Sequence, residues 1–279
     1  MNPSAHRRLN AIANLPPIPA VAQNIVTALN NHQLNVDSIA DVLARDPGLT
    51  ARIVSAANTA FFTGQREIRS IKEAVVRIGL SRVQVITTAI LIGLRFRPEN
   101  CPLFDIQKYW DSSIQLAMSA SRLAGFARLD VPADTTYLCG LLHDIGSLIV
   151  AYLFPKEMTQ AYLLNQQEPE ACFFGHQDQV LGFNAIHAGK EVATRWQLTS
   201  PVIEVINTIH TPEEGATHPA LTRFMKWVKA WQESHFEETP DFTGEFGIPE
   251  KQVAFVARTC LKEQELIDSL VHDLLRHAA

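Results

Sequence analysis

An all-α, two-lobed chain is predicted by three observations. Apolar residues recur at helical spacing over most of the sequence, helix-start signals precede those runs, and strand-type alternation finds almost no support. Leu15-Pro16-Pro17-Ile18-Pro19 cannot propagate a helix but can start one, and Val21, Ala22, Ile25, Val26 and Leu29 then give one apolar face to about Asn30. Asp37 caps a second helix burying Ile39, Val42 and Leu43. Asp46-Pro47 opens a third, with Leu49, Ile53 and Ala56 or Ala57 inward. Ser70-Ile71-Lys72-Glu73 and Ser81-Arg82-Val83-Gln84 each fit a capping box, in which the Ser and the Glu or Gln reciprocally satisfy orphan N–H groups. Gly79 between them suits a left-handed helix end.

Pro98 and Pro102 break the pattern between Arg95 and Phe104, so the lobes are expected to span residues 1–97 and 98–279, the latter with a C-terminal helical extension. Helices are expected over Trp110–Phe126, after Pro132, and over Lys156–Gln166. Three more are expected from about Gly182 to Trp196, over Pro201–His210 and over Pro219–Ser234. Glu237–Pro249, rich in Pro and Gly, reads as a loop before a last helical region with Val253, Val256, Cys260, Leu266, Ile267 and Leu270 inward.

Composition narrows the function classes. At 279 residues, 47% hydrophobic and 19% charged, the chain is an ordinary globular protein with a sizeable core. A net charge of -5 argues against a general nucleic-acid binder, whose affinity rests on Lys and Arg neutralising phosphates. Cys101, Cys139, Cys172 and Cys260 form no CxxC, which removes the usual zinc patterns and leaves reduced, buried thiols as the expectation. No signal peptide is read at Met1–Asn14 and no segment is read as reaching a membrane span, so the expected location is cytoplasmic, without a membrane partner.

The chemistry-bearing stretch is Tyr137–Leu148, where His143-Asp144 interrupts an almost wholly apolar run. Burying such groups without partners costs about 2–7 kcal/mol for a neutral polar group and more for a charge. A metal ion, a ligand or neighbouring helices must therefore satisfy them.

Several motifs in order, Leu15-Pro16-Pro17-Ile18-Pro19, Arg45–Thr50, Ala57–Phe62, Ser70–Ala74, Arg77–Leu80, Gly140–Gly146 and Trp196-Gln197-Leu198, together resemble an HDOD domain, the HD-related output domain of bacterial signalling proteins. The resemblance runs from Leu15 to about His210. It implies an all-helical, two-lobed HDOD-like fold whose second lobe is related to the HD phosphohydrolases, acting in signalling or regulation through a signalling protein or a small ligand. A catalytic HD site is similar to a cage of His and Asp ligands around one or two divalent metals that activate water against a phosphate ester. His143 and Asp144 would supply two ligands, with His187 or His210 completing the shell. Ser112, Ala185 and Ile209 stand where the family often shows histidine, so the site reads as degenerate.

Two readings follow. In the preferred one no cofactor is bound, His143-Asp144 is a satisfied buried pair that pins helix packing, and the chain is a regulatory module. In the other, Mn, Fe or Mg is held and the chain is a metal-dependent phosphohydrolase acting on a nucleotide or cyclic dinucleotide. His176 and Asp178, near Gly175 in an expected loop, are assigned to the surface, and Phe224, Trp227 and Trp231, at helical spacing, to core or interface. Asp37–Asn58 has the outline of a helix-turn-helix. Of its expected recognition residues 47–52 only Arg52 suits base contact, so a packing role is preferred and nucleic acid is not an expected partner.

Overall fold

The computed structural model describes residues 8–12, 15, 53–54, 68–78, 83, 87, 91–92, 95–212, 215–264, 267–268, 271 and 275. The helices expected over 21–30 and 37–45, most of that over 47–58, and the capping box at Ser81 lie outside these residues. Within them every regular element is a helix. They are α1 (Ile71–Ile78), α2 (Ile106–Ala124), α3 (Ala133–Leu142), α4 (Ile145–Leu153), α5 (Pro155–Gln167), α6 (Phe173–Leu181), α7 (Ala185–Arg195), α8 (Ser200–Thr208), α9 (Pro219–Glu233), α10 (Phe242–Phe246) and α11 (Glu250–Lys262).

Local chemistry explains the helix starts. Ser70 Oγ accepts the Glu73 N–H at 3.1 Å while the Glu73 carboxylate accepts from the Arg69 N–H at 2.7 Å, so the expected cap forms with its return bond one residue early. Asp105 caps α2 through the Lys108 N–H, Asn184 caps α7 through Ile186 and His187, and Pro sits in the first turn of α5, α8 and α9. The interruption expected at 95–104 is present as two successive turns, closed by Cys101 N–H to the Pro98 carbonyl and Phe104 N–H to that of Cys101, both at 3.0 Å.

The core is built around α3 and α4. Helix α3 packs on α2 and α8, and α4 packs on α7. Both contacts need glycine: a Cβ at Gly140 would lie 2.6 Å from the Ala117 backbone, and one at Gly146 would lie 1.8 Å from the Ala185 carbonyl. These two helices also correct an expectation. Thr135–Leu153 does have the length and hydropathy of a membrane span, yet 83% of that window is buried inside the fold, so its apolarity is core composition.

Three further corrections concern the second lobe. The region around Gly175 is helix α6 rather than loop, and His176 is buried on it, its Nε2 lying 3.4 Å from the Glu168 carbonyl. The hydrophobic run Phe173-Phe174 and Val180-Leu181 supplied the missed periodicity. The Glu237–Pro249 segment contains α10, a single turn capped by Asp241 and ended by Gly247 at φ 69°, with Phe242 and Phe246 buried. Cys172 is exposed, unlike the other three thiols, because it lies ahead of α6 rather than on a packed face.

The aromatic expectation holds. Phe224 and Trp231 are fully buried, and Trp227 packs edge-on to Phe242 and Phe246 at 6.0 and 5.4 Å. On α11, Val253, Val256 and Cys260 face inward, followed by Ile267.

Candidate functional site

His143 and Asp144 do not share one helix. They form the junction between α3 and α4, with Asp144 at φ −116° and ψ 26°, so the angular separation of adjacent helical residues does not govern where they point. Local bonds stabilise the break: the Asp144 carboxylate reaches forward into the first turn of α4 and accepts from Ser147 Oγ at 2.6 Å, and the Ser147 N–H bonds the Asp144 carbonyl at 3.0 Å. His143 is anchored as firmly, since its Nδ1 lies 2.7 Å from the Gly140 carbonyl. A carbonyl only accepts, so Nδ1 carries the proton and the Nε2 lone pair is left for the pocket.

The end of α8 brings His210 to this junction. Its ring centroid is 6.2 Å from that of His143 and 4.9 Å from that of Phe174 on α6, and its Nε2 is buried without a hydrogen-bond partner among the described residues. His187 is not brought there. It lies exposed in the first turn of α7, where Nδ1 is 2.9 Å from Asn184 Oδ1, as part of the cap. Of the other positions singled out, Ser112 Oγ is 3.3 Å from Gln232 Nε2, and the Ala185 N–H donates to Gln177 Oε1 at 2.7 Å.

A residue that sequence reasoning did not single out adds to the effect of burial on the electrostatics. Lys229 on α9 has a side chain only 16% exposed, pairs with Glu233 one turn on, and exerts its charge on His143, Asp144 and His210 alike. Burial pushes His143 down to about 3, with Lys229 adding to it and the Gly140 carbonyl opposing, and burial with Lys229 and Lys226 pushes His210 down to about 4. Both imidazoles are neutral at pH 7. Burial raises Asp144 to about 6 against the Ser147 hydroxyl and Lys229, and the Asp144 charge in turn helps burial push up the hydroxyls of Tyr109 and Tyr162. The only sequence signal for Lys229 is its place on a polar face with Lys226 and Gln232, a pattern that solvated helices also show.

The donor set can be tested against a divalent metal. The His143 tautomer is the one a ligand would take, with its other nitrogen tied to a backbone carbonyl, and the His210 Nε2 is an unpaired donor atom nearby. Two facts weigh more. Among the described residues no three His, Cys, Asp or Glu side chains gather closely enough to hold an ion, and an ammonium already acts on His143, Asp144 and His210. Among the described residues, these donors do not assemble the ligand set that a resident catalytic metal needs.

Comparison with known proteins agrees with the architecture. The HDOD domain model matches residues 15–212, which is most of the chain. The chain belongs to the HDOD domain family. A solved HDOD domain protein of unknown function from Geobacter sulfurreducens superimposes with a TM-score of 0.78, at 21% identity and 97% coverage of both chains. A candidate phosphohydrolase from Shewanella amazonensis gives 0.75 at 20% identity, with 98% of both chains covered. A candidate signal transduction protein from Marinobacter aquaeolei gives 0.78 at 22% identity, with 98% of this HDOD chain and 62% of that protein covered. These likenesses establish a shared fold. In sequence, an uncharacterised Treponema pallidum protein is 25% identical over 209 residues, and the match spans 73% of this chain but 40% of that relative's length.

Proposed function

We propose that this HDOD chain is a signal-transduction or regulatory module that works by binding a signalling protein or a small ligand, and that its HD pocket is degenerate rather than hydrolytic. One observation carries the reading. His143, Asp144 and His210 all feel the Lys229 ammonium, and among the described residues no three His, Cys, Asp or Glu side chains converge closely enough to hold an ion. Activation of water for attack on a phosphoester needs a cation with open positions held by a charge-matched set of ligands. Here the carboxyl is bound to Ser147 and pinned at a helix junction, a geometry suited to fixing α3 against α4. The signalling description of one neighbour agrees with this reading.

The rival, a metal-dependent phosphohydrolase, is favoured by the His143 tautomer and by the description of a second Shewanella amazonensis neighbour, which matches at 19% identity and a TM-score of 0.58. A hydrolysis assay separates the two. With Mn²⁺, Fe²⁺ or Mg²⁺ added, the purified chain is expected to cleave neither nucleotide phosphoesters nor cyclic dinucleotides above the metal-only blank. Turnover that disappears in Asp144→Ala while the fold is retained would establish the rival.

A further inference from the structure

The face of α9 that looks onto the HD pocket is laid out in three rungs at successive i, i+3 positions. Lys226 Nζ bonds the carbonyl of Thr211, the residue after His210. Three residues on is Lys229, and three further is Gln232, whose Nε2 reaches both the carbonyl and the Oγ of Ser112 on α2, at 3.4 and 3.3 Å. The two outer rungs therefore fix α9 over the edges of the site, one at the end of α8 and the other on α2. The middle rung is held between them. Its side chain is 16% exposed, and among the described residues its ion-pair partner is Glu233, whose side chain is 59% exposed. Helix α9 packs on α3 and α8, which lead to His143 and His210, and the Lys229 charge acts on both imidazoles, whose ring centroids are 6.2 Å apart; the His210 Nε2 has no partner among the described residues.

From this layout we infer that Lys229 is the cation of this pocket: a covalently tethered ammonium that takes the electrostatic place of a divalent ion and keeps such an ion out. The inference rests on the reading of the pocket as non-hydrolytic and says what makes it so. The two imidazoles are a donor pair that Co²⁺ or Zn²⁺ accepts, but an ion entering here would face a fixed positive charge in a poorly solvated setting, where repulsion is screened far less than in water. The ammonium needs no assembly step and cannot be removed by a chelator. It also lacks an open coordination position, so it can neutralise charge without activating water.

The test is Co²⁺ and Zn²⁺ binding to the full chain, read by calorimetry and, for Co²⁺, by the ligand-field absorption of an ion bound to imidazole, with thermal melting as the check on folding. Native protein is expected to bind either ion only weakly. Lys229→Gln, or Lys229→Met if the Gln variant does not fold, removes the charge and is expected to gain affinity by about tenfold or more, with imidazole-type absorption that a second change, His210→Ala, abolishes. Lys229→Arg keeps the charge and is expected to bind as weakly as the native chain.

A folded Lys229→Gln with native affinity overturns the inference and leaves the non-hydrolytic reading standing. So does a Lys229→Arg that binds as tightly as Lys229→Gln, since charge would then not be the agent. A native chain that takes up one ion tightly and loses it in His143→Ala overturns both.

Discussion

Helix α9 presents two faces, and the regions beneath them are opposites. One side carries Phe224, Trp227 and Trp231 into an aromatic cluster completed by Phe242 and Phe246 of α10, where the Trp231 indole N–H donates to the Phe236 carbonyl at 3.2 Å and to Thr239 Oγ1 at 3.0 Å. The other carries Lys226 to the Thr211 carbonyl, Gln232 to Ser112 and Lys229 between them, and there the His210 Nε2 and the Gln232 Oε1 are buried without partners among the described residues. In the first region the buried indole N–H of Trp231 is fully bonded. The second leaves polar groups unpaired, which costs stability and is tolerated where a site has a use beyond packing. The difference teaches that one helix can carry a close-packed aromatic face and a polar, incompletely bonded face at once.

The largest expected effect is on the aromatic side. Trp231→Ala removes a fully buried side chain and its two hydrogen bonds, and should cost about 3–5 kcal/mol in urea unfolding. A loss below about 1 kcal/mol would mean the cluster is not the stabilising half. The packing of α4 on α7 gives a comparable test. Gly146→Ala would drive a Cβ into the Ala185 carbonyl, and a melting temperature unchanged by it would contradict the close approach of the two helices.

On the pocket side the expected effects are smaller and depend on pH. His143 is held near 3 when folded against its ordinary 6.5, so below pH 6.5 the unfolded chain takes up the proton first, and this contribution to stability is lost as pH falls. Relative to His143→Gln, native stability should decline by up to about 1.4 kcal/mol per pH unit between pH 6 and 4. Asp144 runs the other way. Raised to about 6 from 3.8, its carboxyl keeps the proton longer in the fold, and the resulting stability is present below pH 4 and lost as pH rises through 6. Asp144→Asn should therefore gain on the native chain over that interval, by about 1–2 kcal/mol in all. Denaturant midpoints of both variants across pH 4–7 check the two slopes, and a flat difference for either would show that the side chain titrates as it does in solvent.

Smallest is the rim. Arg223 and Glu245 form an ion pair with both side chains well exposed, and replacing Arg223 by Met should move stability by no more than about 1 kcal/mol, less at high salt.

The contrast between the two faces also separates what the amino-acid sequence could tell from what it could not. Helices with a continuous apolar stripe, α2, α5 and α9, begin and end within a few residues of where periodicity puts them, and the aromatic set on α9 was legible as core because its spacing matches the helical turn. Helix α6 was not, since Gly175, His176 and Asp178 look like loop chemistry until Leu181 and the Asn184 cap close on them. The break between α3 and α4 was hidden because Tyr137–Leu153 is apolar almost without interruption, and the Asp144–Ser147 bond that stabilises it leaves no mark in that pattern. In the pocket, His143 and Asp144 stand out as polar groups in an apolar run, and the fold sets the His210 ring centroid 6.2 Å from that of His143. His187 was equally plausible by spacing, yet its ring is turned to Asn184. Lys229 was illegible, because a lysine 86 positions after His143 acquires its meaning only when α9 folds across the pocket.

The most direct measurement is the metal content of the purified native chain and of Asp144→Ala by elemental analysis, before and after incubation with Mn²⁺, Fe²⁺ or Mg²⁺. The account predicts far less than one ion per chain in both proteins, together with an altered unfolding midpoint in the variant. A near-stoichiometric ion in the native chain that is absent from a folded Asp144→Ala would contradict it.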